Sequence, residues 1–261
     1  MKSITSSHNP LYKELKAIAT TAKARREYGQ TLLEGLHLAQ SYLAAEQIPE
    51  LCIVSEGAAE NADVIEITER CNIAGVQRLM ITNAQFKAIS SVDNGVGLLL
   101  LVAIPQVEQP ETLAETAVLL DGVQDPGNMG AILRTAAAAG VTSIYCSPQT
   151  ASAWSPKVLR AGMGAHMALA IHEGVDLATL IAQATVPIYA TTLQASETIY
   201  EADLSQPAAW ILGNEGQGVS AALLEMNVRQ VIIPQSTEVE SLNVAAATAV
   251  CLFEQRRQLS L

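Results

Sequence analysis

The alternation of short apolar runs with helix-like segments is the feature that most constrains how this chain can fold. Parallel strands are joined by long crossovers, usually helices, and are buried on both faces, so they read as continuous apolar runs. In the second half of the chain these runs are 117–120, 143–146, 187–191, 209–212 and 231–233. The alternation predicts an α/β fold, with a mostly parallel sheet covered by helices on both faces.

The first half of the chain alternates in the same way over a shorter length, which indicates a separate small α/β unit. Its apolar runs, which we interpret as strands, are 51–54, 78–81 and 98–104. Pro105 and Pro110, with acidic residues around them, mark a linker. We therefore expect two domains, residues 1–106 and residues 107–261.

Capping residues place the predicted helices. Asn9 and Pro10 suit the start of a helix over residues 9–27, which Gly29 can end. Asn128 suits the N-cap position of the helix that follows the first strand of the second domain. The other predicted helices cover residues 36–46, 128–139, 155–165 and 242–257.

The composition is that of a compact protein, with 49% apolar and 16% charged residues. The longest apolar run, 96–104, is far below the roughly 20 residues that a membrane-spanning helix needs. The first residues lack the apolar segment of a secretory signal, so we expect a cytoplasmic protein without a membrane partner. The four cysteines form no C-x-x-C pair and the four histidines have no motif partner. We expect reduced core thiols, structural histidines and no metal site.

The charge is unevenly distributed along the chain. The net charge is −11, which is unusual for a protein that binds nucleic acid. Residues 1–34, however, contain six basic and three acidic residues and carry +3, which leaves −14 for the rest. The basic residues in the predicted first helix include Lys23, Arg25 and Arg26, which are candidate phosphate contacts.

Three segments of small and polar residues each follow an apolar run of the second domain. They are 128–134 (NMGAILR), 213–218 (GNEGQG) and 241–244 (SLNV). Ligands bind at the carboxyl ends of the strands in an open parallel sheet, so we interpret the three segments as one site. Ser241 could instead serve only to cap the last helix.

The glycine-rich segment does not match the common nucleotide-binding patterns. Its spacing is neither G-x-G-x-x-G nor G-x-x-x-x-G-K-[ST], which argues against a nucleotide-dependent oxidoreductase with a dinucleotide fold and against a P-loop protein. Its glycines permit unusual backbone angles and the close approach of a ligand. Glu215 within such a turn would repel phosphates, and it suits a cationic ligand or one rich in hydroxyl and amino donors.

The ordered patterns N-x-G-x-x-x-R, G-x-E-x-x-G and S-L-N-V resemble the three motifs of the SpoU (TrmH-like) RNA ribose methyltransferases. Residues 157–165 (KVLRAGMGA) are similar to the K-x-x-R-A-[SG]-x-G-A stretch of that family. Residues 4–6, 9–10, 23–26 and 33–35 are similar to its ribosomal-RNA-modifying branch. The chain departs from the family at Asn94-Gly95, where Q-G is frequent.

The resemblance implies methyl transfer from S-adenosylmethionine to a ribose 2′-hydroxyl of RNA, and ribosomal RNA is the expected substrate. It also implies a small N-terminal domain similar to ribosomal protein L30, a deep C-terminal trefoil knot and a homodimer. Two alternatives stay open: a methyltransferase that acts on transfer RNA, and a catalytically silent RNA-binding or ribosome-assembly protein of the same fold.

The roles of individual residues follow from the resemblance. The expected catalytic residues are Asn128, Arg134, Glu215, Ser241 and Asn243. The expected donor-binding residues are Thr191, Leu193, Gly213, Asn214, Glu215, Gly218, Ile233, Ser241, Leu242 and Ala246. The expected RNA-binding residues are Lys23, Arg25, Arg26, Arg134 and Arg160. Arginine is effectively always protonated, so we interpret Arg134 as a phosphate clamp that stabilises a developing alkoxide.

Overall fold

The computed structural model describes residues 1–236, 238 and 241–260, in two compact units. The N-terminal unit comprises Met1–Gln106 and Trp154–Met167, and the C-terminal unit comprises Val107–Ala153 and Ala168–Leu261. Within the described residues, no helix is both long enough and apolar enough to cross a bilayer.

Strands and helices alternate along most of the chain. The strands are β1 Lys2–Ile4, β2 Gln30–Glu34, β3 Leu51–Ser55, β4 Gln77–Ile81, β5 Leu98–Ala103, β6 Ala117–Asp121, β7 Ser143–Cys146, β8 Ala170–Glu173, β9 Ile188–Thr191, β10 Ala209–Gly213 and β11 Arg229–Val231. The helices are α1 Pro10–Thr20, α2 Ala22–Tyr28, α3 Leu36–Ala44, α4 Ala62–Ile73, α5 Asn83–Lys87, α6 Pro126–Ala139, α7 Pro156–Gly162, α8 Leu177–Ala182, α9 Ala221–Leu224 and α10 Val244–Leu259.

The N-terminal unit is built on a five-stranded mixed sheet in the order β1-β4-β3-β5-β2. β1, β4 and β3 are parallel to one another, and β5 is antiparallel to both β3 and β2. The strands β1 and β2 were not predicted from the sequence. Three residues are too few for a periodic pattern in β1, and Leu32 and Leu33 of β2 form an apolar run of only two residues.

The single helix predicted over residues 9–27 is wrong, because the chain breaks at Thr21 into α1 and α2. Thr21 has extended backbone angles (φ −128°, ψ 134°), and its hydroxyl accepts a hydrogen bond from the Ala24 N–H as the N-cap of α2. Arg25 is 6% exposed and donates to the Ile18 carbonyl over 3.0 Å. The guanidinium of Arg25 therefore ties the two helices together.

The C-terminal unit is built on a six-stranded sheet in the order β11-β9-β10-β6-β7-β8. Every described pairing in it is parallel, which confirms the mostly parallel sheet predicted from the sequence. All five residues of β10 are buried. On one face α6 packs against α10, and Gln255 of α10 accepts a hydrogen bond from the Trp210 indole over 2.7 Å.

The strand order places a switch point between β6 and β10. From β6 the chain adds β7 and β8 on one side, and it later adds β10, β9 and β11 on the other. Because all these strands are parallel, the loops that follow β6, β10, β9 and β11 leave the same edge of the sheet. A switch point at that edge is where open α/β sheets bind ligands.

The cysteines and two of the histidines belong to the core. All four cysteines are free and buried. His166 and His172 are 3% and 5% exposed, and the His172 ring stacks on Tyr145 with 4.6 Å between the ring centroids. Neither of these two histidines lies among the residues that line the pocket described next.

Candidate functional site

A pocket of about 700 Å³ opens at the carboxyl edge of the six-stranded sheet. All three of the segments singled out in the sequence contribute to its walls, together with the loop that follows β9 and the residues after β11. The lining residues are Asn128, Thr191, Thr192, Leu193, Gln194, Gly213, Asn214, Glu215, Gly216, Gln217, Gly218, Val219, Leu224, Ile232, Ile233, Gln235, Ser241, Leu242, Asn243, Val244 and Ala247. The volume lies within the usual range for small-molecule sites.

Asn128 does not cap α6, contrary to the prediction from the sequence. The helix starts at Pro126, and Asp125 is its N-cap, with the Asp125 carboxylate accepting from the Asn128 N–H over 2.8 Å. Asn128 therefore lies within the first turn of α6. Its side-chain amide is left free to interact beyond its own helix.

A chain of hydrogen bonds through the Asn128 side chain joins the three segments. The Asn128 Nδ2 donates to Glu215 Oε1 over 3.0 Å, and the Asn128 Oδ1 accepts from Asn243 Nδ2 over 2.8 Å. Asn243 in turn is the N-cap of α10, and its Oδ1 accepts from the N–H groups of Ala245 and Ala246. Each amide is therefore fixed in orientation by the partners on both sides of it.

Glu215 is the last residue in this series of hydrogen bonds, and its carboxylate only accepts. Its carboxylate also accepts from the N–H groups of Gln124 and Asp125, over 3.2 and 3.0 Å. Partial burial raises the pKa of the Glu215 carboxyl, but the hydrogen bonds from Asn128 and from backbone N–H groups lower it more. The pKa lies below its ordinary value as a result. Glu215 thus anchors the loop that leads into α6.

Two of the three glycines in the second segment are required by the backbone conformation of the loop. A Cβ on Gly213 would lie 2.0 Å from the Gly218 carbonyl carbon, so no side chain fits at this position. Gly218 has a left-handed backbone (φ +71°) and forms a two-way backbone pairing with Asn214. Position 216 requires neither the absence of a side chain nor a left-handed backbone. Its φ is not positive, and a Cβ there would meet only the Asn214 side chain, at 3.6 Å.

The charge of the lining limits the chemistry of the ligand. Among the described residues that line the pocket there is one carboxylate, Glu215, and there is no lysine, arginine or histidine. A site for phosphate-rich nucleotides normally offers cationic side chains that pair with the phosphates. The remaining walls are apolar or carry neutral amides and hydroxyls, as in sites for a neutral or cationic ligand with polar groups.

Most of the expected donor-binding residues meet at this pocket. The residues that line it are Thr191, Leu193, Gly213, Asn214, Glu215, Gly218, Ile233, Ser241 and Leu242. Ala246 is not among the lining residues, and its N–H donates to the Asn243 cap instead. Of the expected catalytic residues, Asn128, Glu215, Ser241 and Asn243 line the pocket.

Arg134 lies apart from the pocket, farther along α6. It is six residues beyond Asn128, which corresponds to about 9 Å along the helix axis. Its side chain is exposed, and no hydrogen bond or ion pair joins it to another described residue. Its guanidinium is available to a partner from outside the unit.

The expected RNA contacts of the N-terminal unit differ in exposure. Lys23 and Arg26 of α2 are exposed, whereas Arg25 between them is buried. Arg160 of α7 is exposed and donates to the Ser91 carbonyl over 3.0 Å. Arg25 therefore has a structural role here, and the exposed cations are Lys23, Arg26 and Arg160.

Several residues of the site were not predicted from the sequence. Val219, Leu224 and Ala247 supply apolar wall, and Gln194 and Gln235 supply amides. Gln194 and Gln235 follow β9 and β11 by a few residues, which is the one signal that could have indicated them. The apolar residues carry no such signal, because they resemble any other core position.

Comparison with known proteins agrees with this geometry. Residues 115–253 match the model of the SpoU rRNA Methylase family, and residues 9–99 match an MRM3-like substrate binding domain. An uncharacterized tRNA/rRNA methyltransferase of Synechocystis sp. is 37% identical, covering 98% of this chain and 94% of that protein. The 23S rRNA guanosine 2′-O-methyltransferase RlmP of Bacillus subtilis is 31% identical, covering 98% of this chain and 100% of that protein.

A solved structure supports the same assignment. The AdoMet-bound rRNA methyltransferase of Sinorhizobium meliloti is 30% identical and superposes with a TM-score of 0.83, covering 99% of this chain and 98% of that one. The family match spans more than half of the chain and includes all three segments around the pocket. The resemblance found in the sequence is thereby confirmed, and the chain belongs to the SpoU rRNA methylase family.

Proposed function

We propose that this protein transfers a methyl group from S-adenosylmethionine to a ribose 2′-hydroxyl of ribosomal RNA. The observation that carries the proposal is the Asn243–Asn128–Glu215 chain, which joins the three family motifs beside one pocket. The pocket accepts the donor, because its described lining contains no basic residue that would repel a sulfonium cation. S-adenosylmethionine supplies the activated methyl group, and no metal takes part.

The donor is held by the loops after β9 and β10 and by the start of α10. Gly213 and Gly218 bring backbone groups to the wall of the pocket, since neither has a side chain that would occupy it. The apolar residues Leu193, Leu242 and Ile233 contact the non-polar parts of the donor. Ser241 and Asn243 line the same pocket with polar groups, and they orient the reacting groups.

Arg134 acts on the RNA rather than on the donor. Arginine stays protonated, so Arg134 clamps a phosphate beside the target ribose and stabilises the negative charge that develops on the 2′-oxygen. Asn128, on the same helix, fixes α6 to the donor loops. Positioning of the two reactants accounts for much of the acceleration in such transfers.

Glu215 is not the base that removes the ribose proton. Its carboxylate already accepts three hydrogen bonds, from Gln124, Asp125 and Asn128. A pKa below the ordinary value also makes the carboxylate a weaker base. Glu215 is a positioning residue that holds the entrance of α6.

The RNA is bound by the N-terminal unit, and the charge of the two units supports this division. The N-terminal unit contains eleven basic and eleven acidic residues, whereas the C-terminal unit contains four basic and fifteen acidic ones. The whole net charge of −11 therefore belongs to the C-terminal unit. Lys23, Arg26 and Arg160 contact the RNA phosphates, and proteins of a ribosomal particle supply the basic contacts that the C-terminal unit lacks.

The resemblance to the family is the basis on which we propose a domain layout, a knot and an assembly. Residues 1–106, together with Trp154–Met167 of the same compact unit, form the L30-like substrate-binding domain. The rest of residues 107–261 forms the catalytic domain with its trefoil knot. The protein works as a homodimer. A ribosomal RNA substrate places its activity where ribosomes are assembled, which for this chain we take to be the cytoplasm.

The proposal is tested by donor binding and by methyl transfer. We expect calorimetry to give saturable binding of S-adenosylmethionine, and labelled methyl groups to enter ribosomal RNA from cells that lack this protein. Mapping of 2′-O-methyl marks then identifies the nucleotide. Arg134→Ala should keep donor binding and lose at least about a hundredfold in transfer, as removal of a charge-stabilising group typically does.

Arg257→Ala is the matched control, because Arg257 is an exposed arginine of the same unit that pairs with Glu254. It should transfer methyl groups at the wild-type rate. Labelling of transfer RNA alone would overturn the ribosomal substrate. RNA binding without any donor binding would identify a silent RNA-binding protein and overturn the enzymatic proposal.

A further inference from the structure

Two hydroxyl groups outside the three motif segments lie behind the glycine-rich loop of the pocket. Ser147 and Thr150 belong to the loop that follows β7, and neither is among the described residues that line the pocket. Ser147 is 6% exposed and Thr150 is half-buried. Their oxygens are 3.1 Å apart.

Both hydroxyls accept a hydrogen bond from the N–H of Gly122, the first residue after β6. The Gly122 N–H donates to Ser147 Oγ over 3.0 Å and to Thr150 Oγ1 over 3.2 Å. The Thr150 hydroxyl donates its own hydrogen to the Leu120 carbonyl over 2.8 Å. The Ser147 hydroxyl must therefore be the donor between the two, and each hydroxyl hydrogen has a partner.

Backbone hydrogen bonds also join the loop after β7 to the end of β6 and to the residues that follow it. The Ser147 N–H donates to the Leu120 carbonyl over 2.9 Å, and the Ala151 N–H donates to the Val123 carbonyl over 2.8 Å. Gly122 lies between these two attachments in a left-handed conformation (φ +71°). The hydroxyl pair thus fixes a residue whose backbone conformation other residues rarely adopt.

Gly122 is connected to the glycine-rich loop by hydrogen bonds of the Asn214 side chain. The Gly122 carbonyl accepts from Asn214 Nδ2 over 2.9 Å, while Asn214 Oδ1 accepts from the N–H groups of Gly216 and Gln217. At the other end of the loop, the Asp121 carboxylate accepts from the Ser220 N–H over 2.8 Å. Asp121, the last residue of β6, and Gly122, the next residue, therefore hold both ends of the loop that forms one wall of the pocket.

We propose that Ser147 and Thr150 are positioning residues of the donor site. Their hydroxyls fix Gly122, and the Gly122 carbonyl orients the Asn214 side chain that shapes the glycine-rich loop. Neither residue is among the described residues that line the pocket, so each acts on the donor through Gly122. The inference rests on the proposed function, because it takes this pocket as the site of S-adenosylmethionine.

Thr150→Val tests the inference, because valine keeps the shape of the side chain and removes the hydroxyl. The Leu120 carbonyl keeps its bond from the Ser147 N–H, whereas the Gly122 N–H loses one of its two acceptors and the Ser147 hydroxyl loses the acceptor of its hydrogen. Loss of one such hydrogen bond should weaken S-adenosylmethionine binding and raise its KM roughly fivefold to tenfold. The KM for RNA and the kcat at saturating donor should stay at wild-type values, and Thr150→Ser should restore donor binding.

Thr185→Val is the matched control, because the Thr185 hydroxyl also donates to a backbone carbonyl, that of Leu113, within the same unit. It should leave donor binding unchanged. Ser147→Ala is the second variant, and it should also weaken donor binding, because it removes the other acceptor of the Gly122 N–H. Equal donor affinities in wild type, Thr150→Val and Ser147→Ala would overturn the inference.

A parallel rise of the KM for donor and the KM for RNA would also overturn it, since that result indicates general loosening of the fold. A wild-type protein that binds no S-adenosylmethionine would overturn the proposed function itself. Wild-type binding with unaltered variants overturns the positioning role alone, so the two failures are distinguishable.

Discussion

At the scale of single residues, Asn128 matters because its amide offers one donor and one acceptor to two different loops. An aspartate has the same shape but would place an oxygen, instead of the Nδ2 donor, against the Glu215 carboxylate. Two carboxylates in contact cannot both stay ionised at little cost, and they share a proton as the pH falls. The residue type is thus required by its partners, which the sequence does not reveal.

Asn128→Asp should therefore lower methyl transfer about tenfold to a hundredfold at neutral pH, the usual effect of breaking a hydrogen bond to a charged group. The ratio of variant to wild-type rate should rise as the pH falls from about 8 to 5, because a shared proton restores the bond. Single-turnover rates of methyl transfer by both proteins, measured over this pH range, give the ratio.

The wild-type protein should instead lose stability in acid. The lowered pKa of Glu215 means that its contribution to stability is fully present above the ordinary value of 4.5 and is lost as the pH falls below it. Asn227→Asp is the control, because Asn227 is exposed in the same unit and does not line the donor pocket. A pH-independent rate ratio for Asn128→Asp would contradict the shared proton.

At the scale of secondary-structure elements, the turn after β10 requires glycine at one position and tolerates a side chain at another. A Cβ on Gly213 would lie 2.0 Å from one backbone atom of Gly218 and 2.1 Å from the Val219 nitrogen. Because both are backbone atoms, the loop itself would have to move. Gly216 has room for a Cβ at an ordinary contact distance of 3.6 Å.

Gly213→Ala should therefore abolish donor binding and lower the free energy of unfolding by roughly 1–3 kcal/mol, as overpacking does. Gly216→Ala should change the stability by less than about 0.5 kcal/mol and leave donor binding intact. Calorimetric titration with S-adenosylmethionine and thermal unfolding measure both effects. Equal behaviour of the two variants would show that the close approach at Gly213 does not shape the site.

At the scale of the whole molecule, charge is segregated, and this segregation reconciles an acidic protein with an RNA substrate. The sequence already indicates a basic N-terminal arm, and the division into two units assigns the entire net charge to the C-terminal one. The exposure of each side chain then shows which basic residues are accessible to RNA, since Arg25 is buried while Lys23 and Arg26 are exposed.

Lys23→Ala and Arg26→Ala should each weaken RNA binding and reduce the slope of log affinity against log salt by about one, as the loss of one phosphate contact does. Arg257→Ala makes the same change of charge in the C-terminal unit and should leave the slope unaltered. Filter binding between about 50 and 200 mM salt measures the slopes. Unchanged slopes for both N-terminal variants would place the RNA contacts elsewhere.

The sequence by itself determined the parallel sheet, the strand ends that carry polar residues and the order of the three motifs. These features are local, because an apolar run or a glycine turn is recognisable within a few residues. Only the tertiary structure decided that Asp125 caps α6, that Glu215 anchors the α6 loop and that Arg25 is buried. The bonds from Asn128 to Glu215 and from Asn243 to Asn128 span 87 and 115 residues, distances over which spacing carries no information.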